Sequence, residues 1–182
     1  MYQAQLFNEE AAKSGGSKLQ PGIHTNVGLI GVEQGEDYYD VLFEKEGLRA
    51  NVRLWEPKGN FPNQGETEEQ AKERERRANI DYLVHIMNLV IGLEASNKVQ
   101  AATYEEFMRK AATLVNSKAS QKRFNIKISK DKKGYGKMSS YRSNIELYTP
   151  GQEPGIKLTA KELAALSAEE SPAEKKDTNL PF

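Results

Sequence analysis

The chain has no cysteine and a single tryptophan, and its charges cancel, with 26 Lys and Arg against 26 Asp and Glu. Without thiols it has no disulfide, no thiolate metal site and no cysteine nucleophile, which fits a reducing compartment. Histidine is scarce as well. His24 stands near a strand start, and His85 lies on an apolar helix, where a satisfied core histidine is expected rather than a ligand. Long apolar runs are missing. The most apolar stretch, Ile80 to Leu93, is too short to cross a bilayer and carries Asp81, His85 and Asn88. The first twenty residues are polar and lack the apolar run of a secretory signal. The acids from Glu66 to Glu75 are interleaved with Lys72, Arg74, Arg76 and Arg77, so they read as a solvated helix face rather than a catalytic cluster. No nucleophile and base stand together. The expectation is a soluble, cytoplasmic protein that is not an enzyme and uses no metal, cofactor or membrane.

At 182 residues the chain suits one domain with appendages. Residues 1–20 read as a flexible leader, with SGGSK as a joint. Strands are expected at about Ile23 to Glu33, Tyr38 to Lys45 and over the stretch Leu48 to Pro57, where Pro57 stops the third. Gly28 and Gly31 mark a bulge or strong coiling in the first, and Glu46-Gly47 a tight turn before the third. After the loop Lys58 to Glu66, Thr67 with Gln70 makes a capping box for a helix to about Leu93. Thr103 with Glu106 starts another to about Asn116, with Phe107, Ala111, Leu114 and Val115 inward. Two more strands follow, about Lys122 to Lys130 and Met138 to Tyr148. TPGQEPG is then a linker, Thr159 with Glu162 caps a short helix over Ala160 to Ser167, and Leu158 with Leu163 sits at staple spacing. The remainder has too little apolar content to fold alone.

This order predicts a mainly β fold with a helical insertion: a five-stranded OB-fold barrel, helices between strands three and four, and a disordered C-terminal tail. The organisation is residues 1–20 as leader, 21–148 as barrel with the insertion at 67–117, and 149–182 as linker, short helix and tail.

Alternation in the third strand places Leu48, Ala50, Val52 and Leu54 on one face. The opposite face carries Arg49, Asn51, Arg53 and Trp55, two guanidinium groups and an amide in line with the only tryptophan. A single nucleic-acid strand suits all four, because its bases stack and its phosphates carry charge. The competing expectation is that Trp55 turns under a loop and caps the core. Lys118 to Arg142 carries nine basic residues against the single acid Asp131. Parity turns Phe124, Ile126 and Ile128 inward, so Arg123, Asn125, Lys127 and Ser129 face out. Lys132, Lys133, Tyr135 and Lys137 form a basic hairpin with an aromatic tip, and Tyr141 and Arg142 continue beyond it. A solvated hairpin kept charged against edge-to-edge pairing is the alternative. Gly134-Tyr135-Gly136 lacks the strand-to-helix setting of a phosphate loop.

LQPGIHTNVGLIGVE, YYDVLFEKEGLRANVRLWEP and FNIKISKDKKGYG resemble the single-stranded DNA-binding proteins of tailed bacteriophages. The shared features are a "GIH-N-V" opening, a "W/EP" close to strand three and a "KKGY" turn, over roughly residues 19–148. The resemblance implies an OB-fold that coats unwound DNA during replication or recombination, as a viral protein in the host cytoplasm. The ending DTNLPF is similar to the tip of bacterial single-stranded-DNA-binding proteins, which implies docking of replication and recombination enzymes on Asp177, Leu180, Pro181 and Phe182. The tail here is only weakly acidic, with Glu169, Glu170, Glu174 and Asp177 set against Lys175 and Lys176. An RNA-binding OB module and an OB-type protein-interaction module stay open, as does self-association.

Overall fold

The computed structural model describes residues 18–131 and 135–167. Its scaffold grows from one hairpin. Glu46 (φ 53°) and Gly47 (φ 79°) both adopt the left-handed backbone that a two-residue turn between right-twisted strands requires. That turn fixes the pairing of β2 (Tyr38–Lys45) with β3 (Leu48–Trp55), from Lys45 opposite Leu48 out to Tyr38 opposite Trp55.

Strand β1 (Gly22–Gln34) is long enough to serve two partners. Its C-terminal part pairs with β2 and its N-terminal part with β4 (Arg123–Lys130), with register shifts between Leu29 and Gly31 and between His24 and Val27. Such irregularities bend a strand and increase its twist. The result is an antiparallel sheet curled into a half-barrel in the order β3-β2-β1-β4. Two short strands, β5 (Gly136–Lys137) and β6 (Ile145–Leu147), both lie against β4. The expected continuous strand from Met138 to Tyr148 is therefore broken up. Arg142–Asn144 forms a 3-10 turn, and the Asn144 amide donates to the Ser139 hydroxyl (2.8 Å), so polar side chains satisfy the chain locally in place of a ladder.

No β3–β6 pairing closes a ring among the described residues. The seam is filled instead by the run into β1. The Leu19 amide donates to the Arg49 carbonyl (3.0 Å), and a Cβ on Gly136 would stand 2.7 Å from the Leu19 carbonyl oxygen. Leu19 is buried, so the end of the expected leader belongs to the core.

Between β3 and β4 lie α1 (Glu68–Ile91), the four-residue α2 (Leu93–Ser96) and α3 (Tyr104–Lys118). The Thr67–Gln70 capping box is formed in both directions. Thr103 accepts from the Glu106 amide, but the Glu106 carboxylate reaches the Ala102 amide instead. Gly92 (φ 90°) caps α1, whose last residue, Ile91, comes two residues before the expected stop. Tyr82, Leu83, Ile86, Met87 and Val90 bury one side of α1 against the sheet core of Val27, Val41, Phe43, Val52, Leu54, Phe124 and Ile126. The inward stripe of α3 is Met108, Ala111, Ala112 and Val115, at the spacing of one helix face. Leu114, expected inward, is on the exposed flank.

One residue of α3 completes the sheet. Beyond the point where β4 stops, Asn116 Oδ1 accepts from the Val32 amide (2.6 Å) and its Nδ2 donates to the Val32 carbonyl (2.9 Å). The side-chain amide thus stands in for a neighbouring strand. Gly31 (φ 156°) is required there, since a Cβ would lie 2.7 Å from the same Oδ1. Asn116→Ala strands both Val32 backbone groups, and urea unfolding should show a loss of about 1–3 kcal/mol.

Candidate nucleic-acid interface

Each of Arg49, Asn51, Arg53 and Trp55 faces outward from β3, as alternation requires. Trp55 is 55% exposed, so it does not cap the core. Its surroundings hold it in place. Asp40 stands opposite Arg53 in the register and is itself buried on the same outer face. Its carboxylate accepts from Arg53 Nε (2.9 Å), Arg53 Nη2 (2.6 Å) and Asn51 Nδ2 (3.0 Å). That fork fixes the guanidinium plane, and the Asp40 hydrogen bond pushes the Arg53 pKa further up. The plane lies 3.8 Å from the Tyr38 ring centroid and 5.2 Å from that of Trp55. Tyr38 and Trp55 meet edge to face at 5.5 Å. Asn79 of α1 donates to the Trp55 carbonyl (2.8 Å) and ties the end of β3 to the insertion.

Trp55 opens onto a cavity of about 510 Å³, whose walls include Arg53, Lys58, Phe61, Arg74 and Ala78. Phe61 is 81% exposed, yet the loop that carries it is anchored. Arg74 Nη2 donates to the Phe61 carbonyl (2.9 Å), and the Glu75 carboxylate accepts from the Lys58 and Gly59 amides (3.1 Å each). The ring is therefore presented on a fixed backbone. The cavity's cations all have acid partners: Arg53 with Asp40, Lys58 with Asp37 at 3.0 Å, and Arg74 with Glu66 at 3.1 Å. Such a site favours a flat, weakly charged group over an isolated anion. Tyr38, Phe61 and Arg74 were not singled out from the sequence. Tyr38 follows from counting outward along the hairpin from its turn, whereas nothing local ties Phe61 to Trp55.

The basic stretch after the insertion separates into several locations. Arg123 joins the β3 face through a row in register across four strands: Arg49, Glu44, Gly28, Arg123. A Cβ on Gly28 would lie 2.7 Å from Arg123 Nη1, so the guanidinium occupies the space a side chain on β1 would take. Arg123 has no acid partner among the described residues, whereas Arg49 pairs with Glu44 at 3.2 Å. Asn125 and Lys127 lie on the expected face of β4 but are buried. Asn125 donates to Glu146 (2.8 Å), and Lys127 pairs with Glu162 (3.3 Å). Lys127 is thus not open to solvent as expected, because a segment thirty residues further on covers it. Tyr135 and Lys137 are exposed on the β4–β5 hairpin, close to the Leu19 seam. Tyr141 is exposed, and Arg142 pairs with Asp81 (3.2 Å). Asp81 and Asn79 are two positions apart on α1 and so face different ways, which sets Arg142 apart from the Trp55 end. Lys132, Lys133, Asp177, Leu180, Pro181 and Phe182 lie outside the described residues.

No group of three or more His, Asp and Glu side chains among the described residues is placed to hold a metal. No helix among them is long and apolar enough to cross a membrane. Comparison with protein-family models, curated proteins and solved structures finds no match to this chain.

Two substitutions separate presentation from folding. Trp55→Ala should change stability by no more than about 1 kcal/mol, as surface truncations do. Asp40→Ala should cost about 1–3 kcal/mol, held to that range because Arg53 is a third exposed and regains hydration. Urea unfolding of both variants measures the difference.

Proposed function

We propose that this chain is a non-enzymatic, sequence-tolerant single-stranded DNA-binding protein built on an OB-type barrel. The observation that carries the reading is Trp55, held more than half exposed by Arg53 and Tyr38 at the mouth of a cavity that also presents Phe61. Rings kept in water at fixed positions suit unpaired bases, each stacked base contributing about 1–3 kcal/mol. Arg123 and the hairpin residues Tyr135 and Lys137 supply further cationic and aromatic contacts to a passing strand. The protein coats DNA unwound in replication or recombination, in the cytoplasm of a host if it is a phage product. It recruits enzyme partners through Asp177, Leu180, Pro181 and Phe182.

The acid partners of Arg49 and Arg53 favour a second reading, a protein-interaction module in which Trp55 and Phe61 grip an apolar side chain. The two diverge in a titration with oligo-dT. DNA binding quenches Trp55 emission, and log K falls against log salt by roughly 0.7 per phosphate neutralised. The slope should be shallow, because the β3 arginines are already compensated. Trp55→Ala and Phe61→Ala should each weaken binding by about 5- to 150-fold. Absence of quenching with oligo-dT sinks the DNA reading. Competition by an RNA oligonucleotide of the same sequence sets the preference between the two nucleic acids.

Deleting Leu180 to Phe182 should leave oligonucleotide affinity unchanged within twofold while removing capture of replication enzymes in a pull-down. Lost DNA affinity would contradict the assignment of the tip.

A further inference from the structure

The outer face of β4 is covered by the segment that follows β6. The Gly155 amide donates to Glu146 (2.9 Å), Ile156 is buried, and the chain then enters helix α4 (Ala160–Ser167). No side chain of α4 is buried, and Leu163 is half exposed, so little apolar area holds the helix down. Its hold on β4 is polar. Glu162 Oε1 accepts from the Ser129 hydroxyl (2.7 Å). Glu162 Oε2 accepts from Lys127 Nζ (3.3 Å), the Thr159 amide (2.7 Å) and the Thr159 hydroxyl (2.9 Å). Lys127 Nζ also donates to the Lys157 carbonyl (3.4 Å).

An ammonium and a hydroxyl side by side on a sheet face make a receptor for an anionic oxygen pair, which a carboxylate and a phosphodiester both offer. Lys127 shares the outer face of β4 with Arg123, two alternations away at roughly 13 Å. We propose that α4 is a displaceable cover and that Glu162 holds the place of a nucleic-acid phosphate on Lys127 and Ser129. This rests on the single-stranded DNA reading and deepens it. A strand laid along Arg49 and Arg123 gains Lys127 once α4 lifts, so binding and uncovering are coupled. The trigger is a competing anion rather than mild acid. The Thr159 amide and the Ser129 hydroxyl draw the Glu162 carboxyl down to about 2, so the pin holds above the ordinary carboxylate range and is lost only as pH falls toward that value.

Glu162→Gln isolates the charge, because glutamine serves the same capping box with Thr159. Wild type, Glu162→Gln, Lys127→Ala and the double variant are titrated with oligo-dT at two ionic strengths, with thermal melts to confirm folding. Hydrogen exchange over residues 157–167 is followed with and without the oligonucleotide. Glu162→Gln should bind several-fold tighter, its salt slope steeper by about 0.7. In the Lys127→Ala background the same change should bring no gain, and oligo-dT should speed exchange in the wild-type helix. Wild-type binding with no gain from Glu162→Gln, or a gain that survives Lys127→Ala, overturns the cover and leaves the DNA reading standing. Silence of both wild type and Glu162→Gln toward oligo-dT overturns the two together.

Discussion

A buried carboxylate organises the outer face of this sheet. Asp40 on β2 has little access to water, and a charge so placed persists only if its oxygens are paired. Arg53 and Asn51 pair them, and both come from β3 because the two-residue turn at Glu46-Gly47 sets that register. The guanidinium is then unable to swing, and its flat surface becomes the layer against which Tyr38 and Trp55 are set. Turn, register, carboxylate and aromatic pair form one causal chain. The exposed tryptophan is its last link.

Around the outer sheet face and the Trp55 cavity, most of the described charges are matched locally. Arg49 with Glu44, Arg53 with Asp40, Lys58 with Asp37, Arg74 with Glu66 and Lys127 with Glu162 each cancel within a few ångströms. The exposed pairs, Arg49 with Glu44 and Lys58 with Asp37, add little to stability. Their effect is on the field: the outer face offers rings and hydrogen-bond donors more than a sheet of positive potential, with Arg123 as an uncompensated exception among the described residues.

Much of this was legible from local pattern. The β2–β3 hairpin, the two faces of β3, the irregularity between Gly28 and Gly31 and three helix starts follow from alternation, turn chemistry and capping spacing. What was not legible depends on contacts distant in sequence. Parity put Lys127 on the outer face of β4, but only the fold brings Glu162 onto it. The stretch after Met138 alternates well enough to read as a strand. Yet Asn144 finds Ser139, five residues before it, and only Ile145–Leu147 joins β4. In α3, Leu114 looks like core by type, but the small Ala111 and Ala112 allow close approach and turn the helix so that Met108 and Val115 fill the interior. Phe61 sits in a loop without periodicity, and its relation to Trp55 comes from anchors on α1.

The amide of Asn116 against Val32 also bears on how such an insertion can be regarded. Residues 67–117 are not a cassette clipped into a self-sufficient barrel, since their last turn supplies the hydrogen-bonding rim of β1. A minimal version with the helices excised would leave a raw strand border, open to recruitment by the border of a second molecule. Size reduction of this scaffold by loop grafting would yield self-associating material unless a new rim were installed at Val32.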